Sequence, residues 1–194
     1  MAATTMRLEG ATMTVAMIDR AGPWTEEEYL ALDQTSERVE LFDGSLHMTP
    51  APTLRHQRIS RRLANALEAG TQTTGVEIFE AINVRLKDAR LVIPDVVVID
   101  DVGLDRLVVD APSVHLIAEI TSASNAAADK VFKMHCYAAA KIGWYLIVEQ
   151  DTKNLRLYRL HGVSYVEHAV VGPGEVLRLT EPVVADIRPE DLHT

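Results

Sequence analysis

Two carboxylates stand where a strand would be expected to carry apolar side chains. Asp95 follows Pro94 inside the run Leu91 to Ile99, and Glu119 interrupts Val114 to Thr121. Burying an unpartnered carboxylate is costly, so each of them requires a partner. Acidic residues near the ends of neighbouring core strands suit a divalent cation, because Mg²⁺ prefers hard oxygen ligands and keeps several waters. A helix cap or an arginine partner for each carboxylate would satisfy the same requirement. Further along, Asp129, Lys133 and Tyr137 recur at i, i+4 and i+8 and therefore share one face of a helix that leads away from the loop after Glu119. An ordinary solvated Asp–Lys pair would have the same spacing.

His56 lies three residues before Ile59 and seven before Leu63, which places all three on one inward helix face. A core or capping histidine fits that position as well as a functional one. In the same segment Arg55, Arg58 and Arg62 are spaced i, i+3 and i+7, a stripe that either follows a nucleic-acid backbone or faces water. His47, His115, His135, His161, His168 and His193 show no zinc-like pairing on a helix face. Cys136 reads as a packing residue, and its neighbour His135 diverges from it on a helix, which argues against a Cys–His nucleophile. No glycine-rich phosphate loop is present, so nucleotide-cofactor chemistry has no support.

The elements that must position these groups follow from local patterns. Thr25-Glu26-Glu27-Glu28 forms a capping box that opens a short helix to about Asp33. Arg38 to Thr49 reads as a hairpin around Asp43-Gly44, and Thr53 to Ala69 as a helix stopped by Gly70. Val76 to Leu86 and Leu91 to Ile99 are rich in β-branched residues and predict two strands joined tightly through Lys87 to Arg90. A strand over Val114 to Thr121, an alanine-rich helix over Asn125 to Lys141 and a strand over Trp144 to Glu149 come next. Leu155 to Leu160 and Ser164 to Val171 make a closing hairpin around His161-Gly162, and Pro182 to Leu192 is expected to cover a sheet edge.

The 194 residues are 47% hydrophobic, which suits one compact domain, here expected over residues 23–194 behind a flexible leader, residues 1–22. Nineteen basic against 28 acidic residues leave a net charge of −9, which excludes coating nucleic acid through overall charge. Phosphate contacts would have to come from a local basic patch or bound metal. A single cysteine excludes an intramolecular disulfide and is compatible with the cytoplasm. The longest apolar stretch is interrupted by Pro94 and Asp95 and falls far short of the roughly 20 residues of a spanning helix, so no membrane association is expected. Met1 to Gly22 has no apolar core of the signal-peptide kind.

Several short motifs occur in order: Glu40-Leu41-Phe42-Asp43-Gly44, His56-Gln57-Arg58-Ile59, Pro94-Asp95-Val96, Ala118-Glu119-Ile120 with Ser122 and Ser124, and Asp129-x-x-x-Lys133-x-x-x-Tyr137. In this order the sequence resembles the bacterial restriction endonuclease-like family of the PD-(D/E)XK nuclease superfamily, abundant in cyanobacteria and actinobacteria. The resemblance runs from about Trp24 to Glu149 and more loosely through the closing hairpin. It implies an α/β fold with a restriction-endonuclease-like αβββαβ core, a mixed central sheet flanked by helices, and β-hairpins at both ends. It also implies metal-dependent cleavage of DNA with Mg²⁺ or Mn²⁺, carried by Glu40, Asp95, Glu119 and Lys133. Asp95 and Glu119 would be the metal ligands, and His56, Arg58 and Tyr137 the substrate contacts; a cytoplasmic homodimer is the expected form.

Departures from the pattern are specific. The superfamily lysine belongs two residues after Glu119, where this chain has Thr121, and Lys133 matches the position of a lysine relocated to the next helix. Lys130 lies about 60° off the Asp129–Lys133 stripe and is the weaker substitute. Ala123 and Lys141 stand where the family has proline and glycine, and these changes alter local turns. Thr121 keeps open a catalytically silent module of the same fold that binds nucleic acid or a protein partner. A metal-dependent hydrolase of another phosphorylated substrate would require a closed pocket rather than a groove. Fold alone decides none of these.

Overall fold

The computed structural model describes residues 22–32, 38–71, 74–122 and 127–194, without the side chains of 127–129. Apart from Gly22, the expected leader lies outside the described residues, as do Ala123, Ser124 and the Asp129 side chain. Helix α1 (Glu26–Leu30) opens with the expected capping box: Thr25 Oγ1 accepts from the Glu28 N–H at 3.2 Å, and Glu28 Oε2 accepts from the Thr25 N–H at 2.9 Å. Strands β1 (Arg38–Phe42) and β2 (Ser45–Thr49) form the first hairpin, with Asp43 and Gly44 at φ 49° and 86°, the positive angles that a tight two-residue turn needs. Helix α2 (Leu54–Glu68) is capped by Thr53 and buries Ile59, Leu63 and Leu67.

Each of the two long strands expected over residues 76–99 is broken in two. They resolve into β3 (Val76–Glu80), β4 (Asn83–Lys87), β5 (Arg90–Val92) and β6 (Val96–Asp100). The breaks fall at Ala81, which takes φ 53°, and at Ile93-Pro94-Asp95, where proline has no N–H to give a ladder. β4 pairs with β5 in one sheet, and β3 pairs with β6 in another, so a single long hairpin belongs to both sheets. Local propensity is β-like on either side of the breaks, which is why pattern reading joins what the structure divides.

Strand β7 (Val108–Asp110), which the sequence reading does not anticipate, runs parallel to β4 and leads through a 3₁₀ turn at Ala111–Ser113 into β8 (Val114–Thr121). Helix α3 (Ala127–Ala139) then connects β8 to the parallel strand β9 (Trp144–Glu149). The chain ends in the hairpin β10 (Leu155–His161) and β11 (Ser164–Val171), the small pair β12 (Leu177–Leu179) and β13 (Ala185–Ile187), and α4 (Pro189–His193).

The result is a mixed six-stranded sheet, β11-β10-β9-β8-β6-β3, beside a five-stranded sheet, β2-β1-β5-β4-β7. Strand alternation sends successive residues to two cores. On one face Val96, Val98, Leu116, Ala118 and Leu146 pack with Ile59, Leu63 and Leu67 of α2; on the other, Val97, Ile99, Ile117 and Ile147 meet Cys136 and Tyr137 of α3 together with Phe42, Val84 and Val92 of the smaller sheet.

The C-terminal segment, expected to cover a sheet edge, seats on α2. Leu177, Leu179, Val183, Ile187 and Leu192 are buried in the α2 core, because alternating apolar residues there find a helix surface to cover. Gly70 follows the end of α2, where a helix stop is expected. It lies outside the left-handed region, and a Cβ there would lie 2.2 Å from the Val184 carbonyl oxygen. Gly70→Ala is therefore expected to destabilise the protein by roughly 1–3 kcal/mol through overpacking against backbone. Urea unfolding checks this, and an unchanged midpoint would contradict the close approach.

Candidate functional site

Arg38 and Glu40 stand two residues apart on β1 and so share its inner face with Phe42. Asp95 sits in the break before β6, and Glu119 lies near the end of β8; Val96 is registered with Ala118, which puts these two carboxylates next in line across the same strand pair. The first turn of α2 supplies His56, and α3 supplies Lys133 and Tyr137. Glu40, Asp95 and Glu119 are all buried.

Asp95 is held on both oxygens. Oδ1 takes Arg38 Nη1 at 2.6 Å, while Oδ2 accepts the Ile120 N–H at 2.8 Å and meets His56 Nε2 at 3.1 Å. Its carbonyl accepts from the Ser60 hydroxyl at 3.3 Å. A carboxylate can only accept, so His56 carries its proton on Nε2 in this contact. Burial by itself would raise the Asp95 pKa, but the His56 hydrogen bond and the Arg38 charge hold it well below the usual carboxylate range.

Glu119 is held differently. The Tyr137 hydroxyl donates to Oε1 at 2.5 Å, and Lys133 Nζ lies 3.3 Å from the same oxygen. Oε2 accepts no hydrogen bond among the described residues. Lys133 Nζ also reaches Glu40 at 3.2 Å, and Glu40 Oε1 accepts the Ile93 N–H at 2.8 Å. Burial pushes Glu119 up to about 7, with the Lys133 charge opposing it and Asp95 adding to it. Among the described residues, three acids thus face two permanent cations, Arg38 and Lys133, and Glu119 is the acid on which burial outweighs its partners.

The structure brings Glu40, Asp95, Glu119, Lys133, His56 and Tyr137 together around the ends of β6 and β8. Lys130 instead pairs with Glu149 at 3.7 Å, away from this group. Tyr137, expected as a substrate contact, is fully buried (0% exposed), and its hydroxyl is spent on Glu119. Arg58 is exposed on α2, about 200° around the helix from His56. Arg62 leaves the expected basic stripe, because its Nη1 donates to the Asp191 carbonyl at 2.6 Å and to Thr194 Oγ1 at 2.7 Å, tying α2 to the C-terminus.

The sequence reading missed Arg38, Ser60 and the backbone N–H groups of Ile93 and Ile120. For Arg38 a signal was present, since it precedes Glu40 by two residues in a strand; for Ser60 it was the position one helical turn after His56.

The donors suit a hard divalent cation only in one form. Among the described residues Glu119 Oε2 accepts no hydrogen bond, Asp95 Oδ1 accepts from Arg38 alone, and three carboxylates outnumber the two permanent cations. Among the described residues, no three His, Cys, Asp or Glu side chains form a metal-holding group. Two carboxylates with water completing the shell, the arrangement Mg²⁺ commonly adopts, fits these residues; a closed protein cage does not.

The raised Glu119 pKa has a consequence for the metal-free protein. Its folded value of about 7 lies above the ordinary glutamate value of 4.5, so the unfolded chain releases this proton first as pH rises. The associated stability is complete below about pH 4.5 and is lost as the pH climbs to about 7, with a slope of at most about 1.4 kcal/mol per unit. Asp95 works in the opposite sense at lower pH, stabilising the fold above its unfolded pKa and losing that contribution as pH falls toward its depressed folded value. Denaturant titrations in chelator between pH 4.5 and 8 should show the Glu119 loss in wild type and a flatter profile in Glu119→Gln; equal slopes would contradict the assignment.

Residues 26–188 match the Uma2 family, described as "Putative restriction endonuclease". Among solved structures, the chain is similar to a protein from Anabaena variabilis described as a "putative nuclease belonging to DUF820", at 18% identity and a TM-score of 0.67, over 88% of this chain and 98% of that one. At that identity the likeness concerns the fold, which is the mixed α/β nuclease fold described above. No curated protein matches the sequence. The family match spans most of the chain, from α1 to the last residue before α4, and includes every residue of the carboxylate cluster: this protein belongs to the Uma2 restriction endonuclease-like family.

Proposed function

We propose that this protein hydrolyses phosphodiester bonds in DNA with Mg²⁺ or Mn²⁺ bound by Asp95 and Glu119. The observation that carries this reading is the reach of Lys133. Its strand counterpart is absent at Thr121, yet its ammonium lies 3.2 Å from Glu40 and 3.3 Å from Glu119. When bound, the cation would polarise the scissile phosphate and lower the pKa of an attacking water.

The chain's own residues have separate tasks. Lys133 is fixed between two carboxylates, so its charge is pre-oriented toward negative charge developing on the phosphate. Tyr137 acts through Glu119 by holding Oε1, while Oε2 accepts no hydrogen bond among the described residues. His56 and the Ile120 N–H lock the plane of Asp95. The exposed Arg55 and Arg58 of α2 supply local positive charge for flanking phosphates, which the net charge of −9 does not provide. Two copies acting on opposite strands in the cytoplasm are the arrangement we propose for duplex cleavage. No helix among the described residues is long and apolar enough to cross a membrane.

We favour a nucleic-acid strand over a small phosphorylated substrate. Neither the cavity lined by Pro112, Trp144 and Arg159 nor that lined by Phe79, Val102 and Leu107 includes any of the three carboxylates. A silent binding module is the second reading, favoured by Asp95 being already ion-paired to Arg38. Cleavage of plasmid and single-stranded DNA in Mg²⁺ and Mn²⁺ separates the two. Wild type should cut, Asp95→Asn and Glu119→Gln should be inactive, and Lys133→Met should lose about 100-fold or more. Wild type and Glu119→Gln behaving alike would overturn the nuclease reading in favour of the binding module.

A further inference from the structure

We infer that Arg38 is a resident cation competing with the divalent metal for Asp95 Oδ1, so that metal entry displaces its guanidinium and frees it to take a substrate phosphate. This rests on the metal-dependent reading above. Oδ2 of Asp95 already accepts two donors, the Ile120 N–H and His56 Nε2, which occupy both of its lone-pair directions. A cation can therefore approach Asp95 only through Oδ1, and there Arg38 Nη1 sits at 2.6 Å. Placing a dication on that oxygen beside an undisplaced guanidinium would set like charges in contact at a buried site.

Arg38 is also poorly anchored for a buried arginine. Among the described residues its buried Nε and Nη2 have no hydrogen-bond partner, which leaves the Nη1 contact with Asp95 as the side chain's hydrogen bond. Unsatisfied buried donors are costly, so this position stores a penalty that departure relieves. The idle pair Nε and Nη2 is the edge of the guanidinium that binds two oxygens of a phosphate side by side. The side chain is 19% exposed, so it is not sealed from the surface. By contrast Lys133 contacts two carboxylates and Tyr137 is locked on Glu119, and neither stands on Oδ1 of Asp95.

Two consequences follow. The metal-free protein resists metal because one ligand oxygen is already neutralised, and a phosphate that captures the displaced arginine strengthens metal binding. The coupling is reciprocal, with metal strengthening phosphate binding by the same factor.

The test is a titration of the full chain with Mn²⁺ alone, read as free Mn²⁺ by electron paramagnetic resonance. Wild type, Arg38→Gln, Arg38→Lys and Glu119→Gln are compared, with folding checked by circular dichroism. Arg38→Gln should bind Mn²⁺ about tenfold tighter than wild type, Arg38→Lys should stay near wild type because a cation remains, and Glu119→Gln should lose binding. A folded Arg38→Gln with unchanged or weaker affinity overturns the inference while leaving the metal site intact. Should Arg38→Gln fail to fold, the Arg38 Nε–H resonance of wild type gives an independent reading. Its solvent exchange should be slow without metal and accelerate with Mg²⁺, and continued protection with Mg²⁺ bound would overturn the inference. Absence of Mn²⁺ binding in wild type and in a folded Arg38→Gln would overturn the metal-dependent reading itself, and this inference with it.

Discussion

The structure depends on one electrostatic imbalance, three buried carboxylates set against two permanent cations where the two sheets meet. Glu40 comes from the smaller sheet, Glu119 from the larger, and Asp95 from the break that joins them. Removing such charges from water is affordable only if each oxygen finds a donor, and most of them do, through Arg38, His56, Lys133, Tyr137 and the N–H groups of Ile93 and Ile120. Burial and unequal partners separate the acids: the His56 hydrogen bond and the Arg38 charge hold Asp95 ionised, while burial pushes Glu119 toward the neutral form against the Lys133 charge. Acids with different proton affinities in one cluster are a common mark of a functional site.

The backbone feature that creates this cluster is the bend shared by two strands. If residues 76–99 formed one straight hairpin, the smaller sheet would have no route to the end of β6, and Glu40 would lie far from Glu119. Ala81 and Pro94 end the pairing at matching places on the two strands, and the Ala81 N–H bonds the Asp95 carbonyl across the break at 3.3 Å. β8 and β9 are the parallel pair of the larger sheet, and α3 crosses between them. That crossover brings Lys133 over the end of the strand that carries Glu119, so a lysine on a helix serves where a strand lysine is missing.

Much of the fold is legible locally. The capping box at Thr25, the Asp43-Gly44 turn, α2 and its Thr53 cap, the α3 helix and the closing hairpin all follow from interactions within a few residues of one another. The suspicion attached to Asp95 and Glu119 was legible for a related reason, because a charge inside an apolar strand signals an unseen partner. β7, the division of the long hairpin and the seating of the C-terminal segment on α2 were not legible, since each is chosen by which surface lies opposite.

By itself, then, the sequence determined the element types, the order of the family's motifs and the acids that could not stay unpaired. Only the tertiary structure decided the partners. Arg38 reaches Asp95 across 57 residues and Lys133 reaches Glu40 across 93, while Arg62, equally plausible on a helical wheel, turns to the C-terminus. The physical reason is range: helix and turn signals act over a few residues, whereas a hydrogen bond is made or lost within a fraction of an ångström, and the packing of two sheets and two helices sets that distance.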